Sequence, residues 1–463
     1  MGSSDDVSDA STDPKRFLGK AVRDQMANQG ASQVWAEVTA LAQLPGVLDL
    51  GQGWPDFGAD DVARAAAAEA LVSSPDPRAN QYSGIPGRPE LQSAVSRYYR
   101  STGMRAGGDV LVTTSATEAI YVALQTLCDP GDEVVFLEPF FPWYISHCRI
   151  FGAVPVTVRM KPGTTGGGFT LDLEALREAF VRGEGRTKVF IHNSPHNPTG
   201  AVFTRQEMEA VAALCKEFDV VVLADEVYER CTFFGAMNDG GLGEEEEGGG
   251  RRRRRGSKGD EPVEVVRMAD MSGMENRTLT IGTSSKLLCL SGWRVGWMMG
   301  PPELIGAVRM MHSYATFCAP TPLQLGVAAA LDGIAKEAED NLKNTDGIGG
   351  GSSGALVPDA TAAVMSKNAS VLAAALRDTG LRVFDPWGGY FLVADVAPLS
   401  LTSVEYCRQL ANGPAKVAAV PLDVFYDPTK VEDPPPETFV RFAVCKKPET
   451  IQAAAAAIRA NPV

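Results

Sequence analysis

The middle of the chain repeats one pattern: a short run of β-branched and aromatic residues, a cluster of Gly, Asn, Asp, Ser or Pro, then apolar residues at helical spacing. The segments DEVVFLEPFF (132–141), TKVFIHNSPHNPTG (187–200), DVVVLADEVY (219–228) and RTLTIGTSSK (277–286) each carry a continuous apolar run that closes on polar residues. Runs that stay apolar, rather than alternating, predict strands buried on both faces. Interleaved with helices, they predict a largely parallel α/β sheet. In such sheets functional groups collect beyond the carboxyl ends of the strands. Upstream, residues 17–48 read as amphipathic until LDLGQGWPDF breaks the pattern with Gly51, Gly53 and Pro55. After residue 358 the patterns alternate more loosely, in WGGYFLVADV and ETFVRFAVC, which predicts a smaller second domain.

Composition narrows the function classes. A chain of 463 residues, 44% apolar and 22% charged, can bury a large core. Its 43 basic and 57 acidic residues leave a net charge of −14, so no nucleic-acid partner is expected. No apolar run reaches the length of a membrane span, and the opening MGSSDDVSDASTDPKR has no apolar signal core. A soluble, cytoplasmic protein without a membrane partner is the expectation, with an organelle left open. The eight cysteines are scattered without a Cys-x-x-Cys pair, which predicts reduced thiols rather than a disulfide framework or zinc knuckle. Residues 1–16 hold almost nothing to bury and read as a disordered tail. Residues 239–261 contain Glu244 to Glu247 and Arg251 to Arg255; the two runs offset each other, so this stretch reads as a solvated insertion rather than a nucleic-acid patch. A second, Gly/Ser-rich insertion covers 346–356.

Several residues carry candidate chemistry. In VTTSATEAIYVALQTL, Ser115 and Glu118 have the spacing of a capping box, and Ile120, Leu124 and Leu127 share one face, so a helix is expected to begin at Ser115. Such a start leaves free N–H groups at Ala116 and Thr117, which suit an anion such as phosphate, although most capped helices bind nothing. Asp225 closes the run VVVLA; a carboxylate there serves as a cap, an ion-pair partner or the counter-ion of a cationic ligand atom. Tyr228 could present its hydroxyl at the same mouth. Asn193 and Asn197 flank Pro195 in a turn-forming sequence. His192 and His196 have a metal-like spacing, but Pro195 forbids the helix that would align them, so no metal site is expected. Lys286 lies in an apolar setting, where desolvation would lower its pKa and make the amine nucleophilic. Arg294 and Arg441 are likewise embedded; a guanidinium there needs a carboxylate or phosphate, and either could be a structural ion pair. Singly, each residue has an ordinary structural explanation. Together, at the ends of adjacent strands, they point to a ligand.

The ordered motifs GQGWPDF, NQYSGIPG, TSATEAI, EPFFPWY, NSPHNPTG, DEVYER, TSSK, SGWRVGW, GGYFLVAD and VRFAVCKK resemble those of fold-type I, pyridoxal-phosphate-dependent aminotransferases. Within that family the chain looks most like the kynurenine aminotransferase/glutamine transaminase K group, which also contains cysteine-S-conjugate β-lyases. The resemblance runs from about residue 17 to the end, apart from the two insertions. It implies a large domain (59–335) with a mixed, mostly parallel sheet covered by helices that binds pyridoxal 5'-phosphate. It also implies a smaller α+β domain from 336–463 together with the N-terminal segment 17–58. The implied activity is transamination between an L-amino acid (kynurenine, glutamine, methionine or aromatic) and a 2-oxo acid. A β-lyase is the alternative, and a non-catalytic descendant a third reading.

The resemblance also implies roles. Lys286 would hold the cofactor as a Schiff base and shuttle the proton. Asp225 would pair with the pyridinium N–H. Asn197 and Tyr228 would hydrogen-bond the 3' oxygen, and Phe141 would stack on the ring. Ser115, Ala116 and Thr117 at the helix start, with Thr283 and Arg294, would hold the phosphate; Thr283 stands where Ser is commoner. Arg441 would clamp the substrate carboxylate with Asn197 and the Gly53 backbone. In a homodimer with shared active sites, Tyr82 would reach the neighbour's cofactor and Phe317 its substrate pocket. Trp35 and Trp54 would line the side-chain pocket, with core packing the other explanation for both.

Overall fold

A computed structural model describes residues 17–27, 30–163, 167–233, 263–344, 360–430 and 433–463. The expected tail at 1–16 and the insertions at 239–261 and 346–356 lie outside the described residues. In chain order the described strands are β1 (Leu48–Asp49), β2 (Asp109–Thr113), β3 (Glu133–Glu138), β4 (Val154–Arg159), β5 (Thr187–Asn193), β6 (Val221–Asp225), β7 (Thr278–Thr283) and β8 (Gly296–Gly300). They continue with β9 (Arg382–Phe384), β10 (Phe391–Asp395), β11 (Val417–Ala418), β12 (Val420–Pro421) and β13 (Phe439–Ala443). Seven of them form one sheet in the order β2-β8-β7-β6-β5-β3-β4, and β8 alone runs antiparallel to its neighbours.

The continuous apolar runs are explained by burial on both faces. Val135, Leu137, Phe190, Val222 and Ala224 enter one core, while Val134, Phe136, Val189, Ile191 and Leu223 enter the core on the opposite face. Successive side chains of a strand alternate between faces, so both sets must be apolar. The expected mostly parallel α/β sheet is therefore present. Its direction places the carboxyl ends of β2, β3, β5, β6 and β7 along one edge. The antiparallel β8 starts at that edge, because Gly296 stands opposite both Thr113 and Thr283.

A second, antiparallel sheet has the order β12-β13-β10-β9. Beside it β1 pairs in parallel with β11, Leu48 opposite Val417 and Asp49 opposite Ala418. The Ala443 N–H donates to the Leu50 carbonyl at 2.6 Å, which lays the glycine-rich turn after β1 against the end of β13. The amphipathic N-terminal stretch forms two helices, Lys20–Ala27 and Gly30–Ala42. No described helix is long and apolar enough to cross a membrane, and no disulfide joins any of the eight cysteines.

One expectation needs correction. The helix does start at Ser115 (Ser115–Leu127), but its N-cap is Thr114, whose N–H donates to Glu118 Oε2 at 3.0 Å. The capping box at Ser115 is absent because the chain turns sharply out of β2 there, with Ser115 at φ 83°, a left-handed conformation unlike that of a capping residue.

Behind the end of β6 lies a buried charge cluster. The Arg267 guanidinium reaches Glu226 at 3.3 Å and also pairs with Glu229, while Glu229 accepts the Tyr98 hydroxyl at 2.9 Å. Arg267 also donates to Thr102 Oγ1 at 3.2 Å and lies over the Tyr99 ring. Burial pushes the Glu226 carboxyl up to about 7, against the pull of Arg267. The cluster pins the segment after Asp225 from below. Replacing Arg267 with Leu leaves two buried carboxylates without their cation and is expected to cost about 3–5 kcal/mol. Chemical denaturation measures this, and a loss below about 1 kcal/mol would contradict the assigned role.

Candidate active site

The lysine strand ends in a short helix, Ser284–Leu287, whose first turn is capped by Thr283 Oγ1 accepting the Ser285 N–H at 3.2 Å. Lys286 projects from it and donates to the Gly53 carbonyl at 2.8 Å. Its Nζ lies 5.1 Å from the Tyr390 ring centre and 5.7 Å from that of Tyr228. The Tyr390 hydroxyl fixes the backbone by donating to the Lys286 carbonyl at 2.8 Å. Burial lowers the Lys286 pKa, and the nearby Arg441 charge adds to the effect, so the amine is biased toward its neutral, nucleophilic form. Gly53 is required for the approach: a Cβ there would stand 2.4 Å from the Phe391 ring.

Asp225 sits at the carboxyl end of β6, buried. Its backbone carbonyl accepts the Asn193 side-chain amide at 2.8 Å, and its Oδ2 accepts the Tyr144 hydroxyl. Oδ1 is buried without a hydrogen-bond partner. Burial raises the carboxyl to about 6, opposed by the Tyr144 bond and the charge of Lys286. Asn193 Oδ1 also accepts the Asn197 N–H at 2.7 Å, so one asparagine ties the strand end to the turn beyond it.

Arg441, on β13, reaches the same pocket from the smaller sheet. It donates to Asn197 Oδ1 at 3.1 Å and to the Gly51 carbonyl at 3.0 Å, while its Nε has no partner. The guanidinium lies 3.8 Å from the Phe391 ring centre, 4.4 Å from that of Phe425 and 5.7 Å from that of Trp35. Among the described residues no carboxylate is within salt-bridge range of it, and burial lowers its pKa to about 9. The anion that a buried guanidinium is expected to need is not supplied by any described residue.

The turn at Ser115, with Ala116 and Thr117, forms a cup against β8. A Cβ on Gly296 would lie 2.6 Å from the Ser115 carbonyl carbon and 2.7 Å from the Ala116 nitrogen, so only glycine allows this approach. The first-turn N–H groups have no intrahelical acceptor. Ser285 Oγ, next to Thr283, is buried without a partner. Phe141 is half-buried beyond β3, its ring 5.7 Å from that of Tyr144. Arg294 departs from expectation: it is exposed rather than embedded, ending a tight turn at φ 54° and donating to the Ser291 carbonyl at 2.9 Å.

Tyr228 is buried at the same mouth, and burial pushes its phenol far up. Trp35 is half-buried beside Arg441. Trp54 is 46% exposed, its ring 4.0 Å from the Lys446 ammonium, so core packing does not account for it. Tyr82 and Phe317 pair edge-on at 5.3 Å on the surface, 82% and 46% exposed. His192 and His196 are both buried, His196 against Thr199 Oγ1 at 2.8 Å, and no group of potential metal ligands occurs among the described residues. Tyr144, Ser285, Tyr390 and Phe391 went unread in the sequence, although they sit inside EPFFPWY, TSSK and GGYFLVAD. Only their position within those motifs could have marked them.

Comparisons with known proteins show the family. The family model for aminotransferase class I and II matches residues 45–458. The chain is a class I and II aminotransferase. It is 30% identical to human kynurenine--oxoglutarate transaminase 3 over 93% of this chain and 88% of that protein. The N-succinyldiaminopimelate aminotransferase of Mycobacterium tuberculosis superposes with a TM-score of 0.72 at 33% identity, covering 92% and 96% of the two chains. YbdL of Escherichia coli, with a methionine aminotransferase function, gives 0.73 at 26% identity over 92% and 96%.

The aminotransferase cofactor is pyridoxal 5'-phosphate, and the residues present fit it. Asp225 Oδ1 is an orphaned buried acceptor for a ring N–H, the glycine-backed cup offers amides to a phosphate, and Lys286 supplies a desolvated amine. A pH prediction follows from Asp225. In the cofactor-free protein its folded pKa, about 6, stands above the ordinary value of 3.8. The folded chain therefore holds this proton longer than the unfolded one, and ionisation costs stability as pH rises from about 4 to 6. Asp225→Asn is expected to stabilise the cofactor-free enzyme by on the order of 3 kcal/mol above pH 6, and progressively less toward pH 4. Thermal melts across that range test this; a difference independent of pH would contradict it.

Proposed function

We propose that this aminotransferase moves the amino group of an L-amino acid of the kynurenine, glutamine, methionine or aromatic type to a 2-oxo acid. The observation that carries the reading is the unpaired Arg441 guanidinium, buried among aromatic rings in the pocket that holds Lys286. An α-carboxylate supplies the missing anion, and Phe391, Phe425 and Trp35 favour an apolar or aromatic donor. When bound, pyridoxal phosphate supplies an aldehyde for amines and a ring that accepts the electron pair of the broken Cα–H bond.

The chain's own residues do the rest. Arg441 and Asn197 orient the donor by its carboxylate, and such orientation supplies a large part of the rate. Lys286 Nζ, biased to its neutral form by burial, takes the proton from the donor Cα. Asp225, Tyr228 and Asn197 would hold the ring, Phe141 its face, and Ser115, Ala116, Thr117, Thr283 and Arg294 the phosphate. The exposed Tyr82–Phe317 pair supports a homodimer in which each protomer completes the other's site. Identity to an N-succinyldiaminopimelate aminotransferase favours a second donor class, carrying a distal carboxylate.

A panel of kynurenine, glutamine, methionine, phenylalanine and N-succinyldiaminopimelate against several oxo acids, scored by kcat/KM, decides between the donors. Pyruvate and ammonia released from a cysteine S-conjugate without an acceptor would favour the β-lyase. Lys286→Ala is expected to lose the yellow, borohydride-sensitive band and to lower turnover at least about a hundredfold. Arg441→Ala is expected to raise KM for every α-carboxylate donor by roughly a hundredfold while leaving the visible spectrum unchanged. A spectrum lost in Arg441→Ala would remove that residue from the substrate site.

A further inference from the structure

Asp225 is held asymmetrically. Oδ2 accepts the Tyr144 hydroxyl, while Oδ1 is buried and open. The backbone cannot shift to change this, because its carbonyl takes both the Asn193 side-chain amide at 2.8 Å and the Ser194 N–H at 3.3 Å. Tyr144 is equally fixed. It lies buried in the first turn of the helix Trp143–Phe151, directly after the segment carrying Phe141, with its ring 5.9 Å from Phe136 and 5.7 Å from Phe141. Burial, and then the negative charge of Asp225, keep its phenol protonated far above neutral pH, so it acts only as a donor to the carboxylate.

We propose that Tyr144 is a positioning residue of this enzyme: by occupying Asp225 Oδ2 it orients the carboxylate and leaves Oδ1 as the single acceptor for the cofactor's ring nitrogen. The inference rests on the reading of Asp225 as the partner of that nitrogen, and adds what makes the pairing specific. A carboxylate free at both oxygens in an apolar pocket could rotate, or take up a proton itself. With one oxygen committed to a rigid donor, rotation breaks a charge-assisted hydrogen bond and protonation weakens it. One residue thereby links the element carrying Phe141 to the strand end carrying Asp225, setting ring face and ring nitrogen from one support.

The test compares pyridoxal 5'-phosphate with its 1-deaza analogue, in which carbon replaces the ring nitrogen. Each is titrated into full-length protein stripped of cofactor and followed by tryptophan fluorescence. In Tyr144→Phe the affinity for pyridoxal phosphate is expected to fall at least about tenfold, while that for the deaza analogue stays within about twofold of wild type. Equal weakening for both compounds, or for neither, would make Tyr144 a packing residue and overturn the proposal. Asp225→Ala separates this from the underlying reading. It should lose the preference for the nitrogen-bearing ring entirely; if it keeps that preference, Asp225 is not the nitrogen's partner and the reading beneath the proposal fails. Loss in Asp225→Ala with no change in Tyr144→Phe would sink only the role of Tyr144.

Discussion

Charge buried without a counter-charge is the constraint on which this site depends. Arg441 and Asp225 are both taken out of water, and neither has an ion-pair partner among the described residues within salt-bridge range. Such groups are ordinarily expelled, neutralised or paired. Here the surrounding fold holds them in place, each with part of its hydrogen-bonding capacity unused. On the proposed reading, a ligand bearing a carboxylate at one end and a protonated ring nitrogen at the other would supply what both lack. The Arg267 cluster behind β6 shows the contrast, because there the same chain pairs its buried ions with one another.

Two sheets of different construction have to agree for this to work. The parallel sheet supplies a row of strand ends, with Asn193, Asp225 and Thr283 finishing neighbouring strands. The antiparallel sheet supplies Arg441 and Phe391. Asn197 and the Gly51–Gly53 turn bridge them, since Arg441 bonds to both and Lys286 bonds to the turn. Glycine at 53 and 296 is a packing requirement on each side, because a ring or a backbone already fills the space a methyl group would need.

The sheet was legible in the sequence because burial on both faces leaves no polar alternation within a strand, and the runs ending at Asn193, Asp225 and Thr283 show it plainly. Lys286, Asp225 and Arg441 were legible as charges set among apolar residues. Arg294 misled as to burial for the same reason, since neighbouring apolar residues do not reveal that it ends an exposed left-handed turn. The cap at Thr114 was missed by one residue, because a spacing rule cannot see a φ of 83° at Ser115. Tyr144, Ser285 and Tyr390 were invisible as functional groups: a buried hydroxyl matters only through the atom it faces, which lies far away in sequence.

The parallel pairing of β1 with β11 joins segments from near the two ends of the chain. Contacts of such long range form late, because the loop between them must first be closed. On a ribosome the parallel sheet, with its lysine, can assemble while β11 and β13 are still unmade. The turn carrying Gly51 and Gly53 then waits for its seat, so under the proposed roles a nascent chain has Lys286, the cofactor's anchor, well before Arg441, the donor's clamp. On that reading, competence to react with amino acids is deferred until β13 has been made.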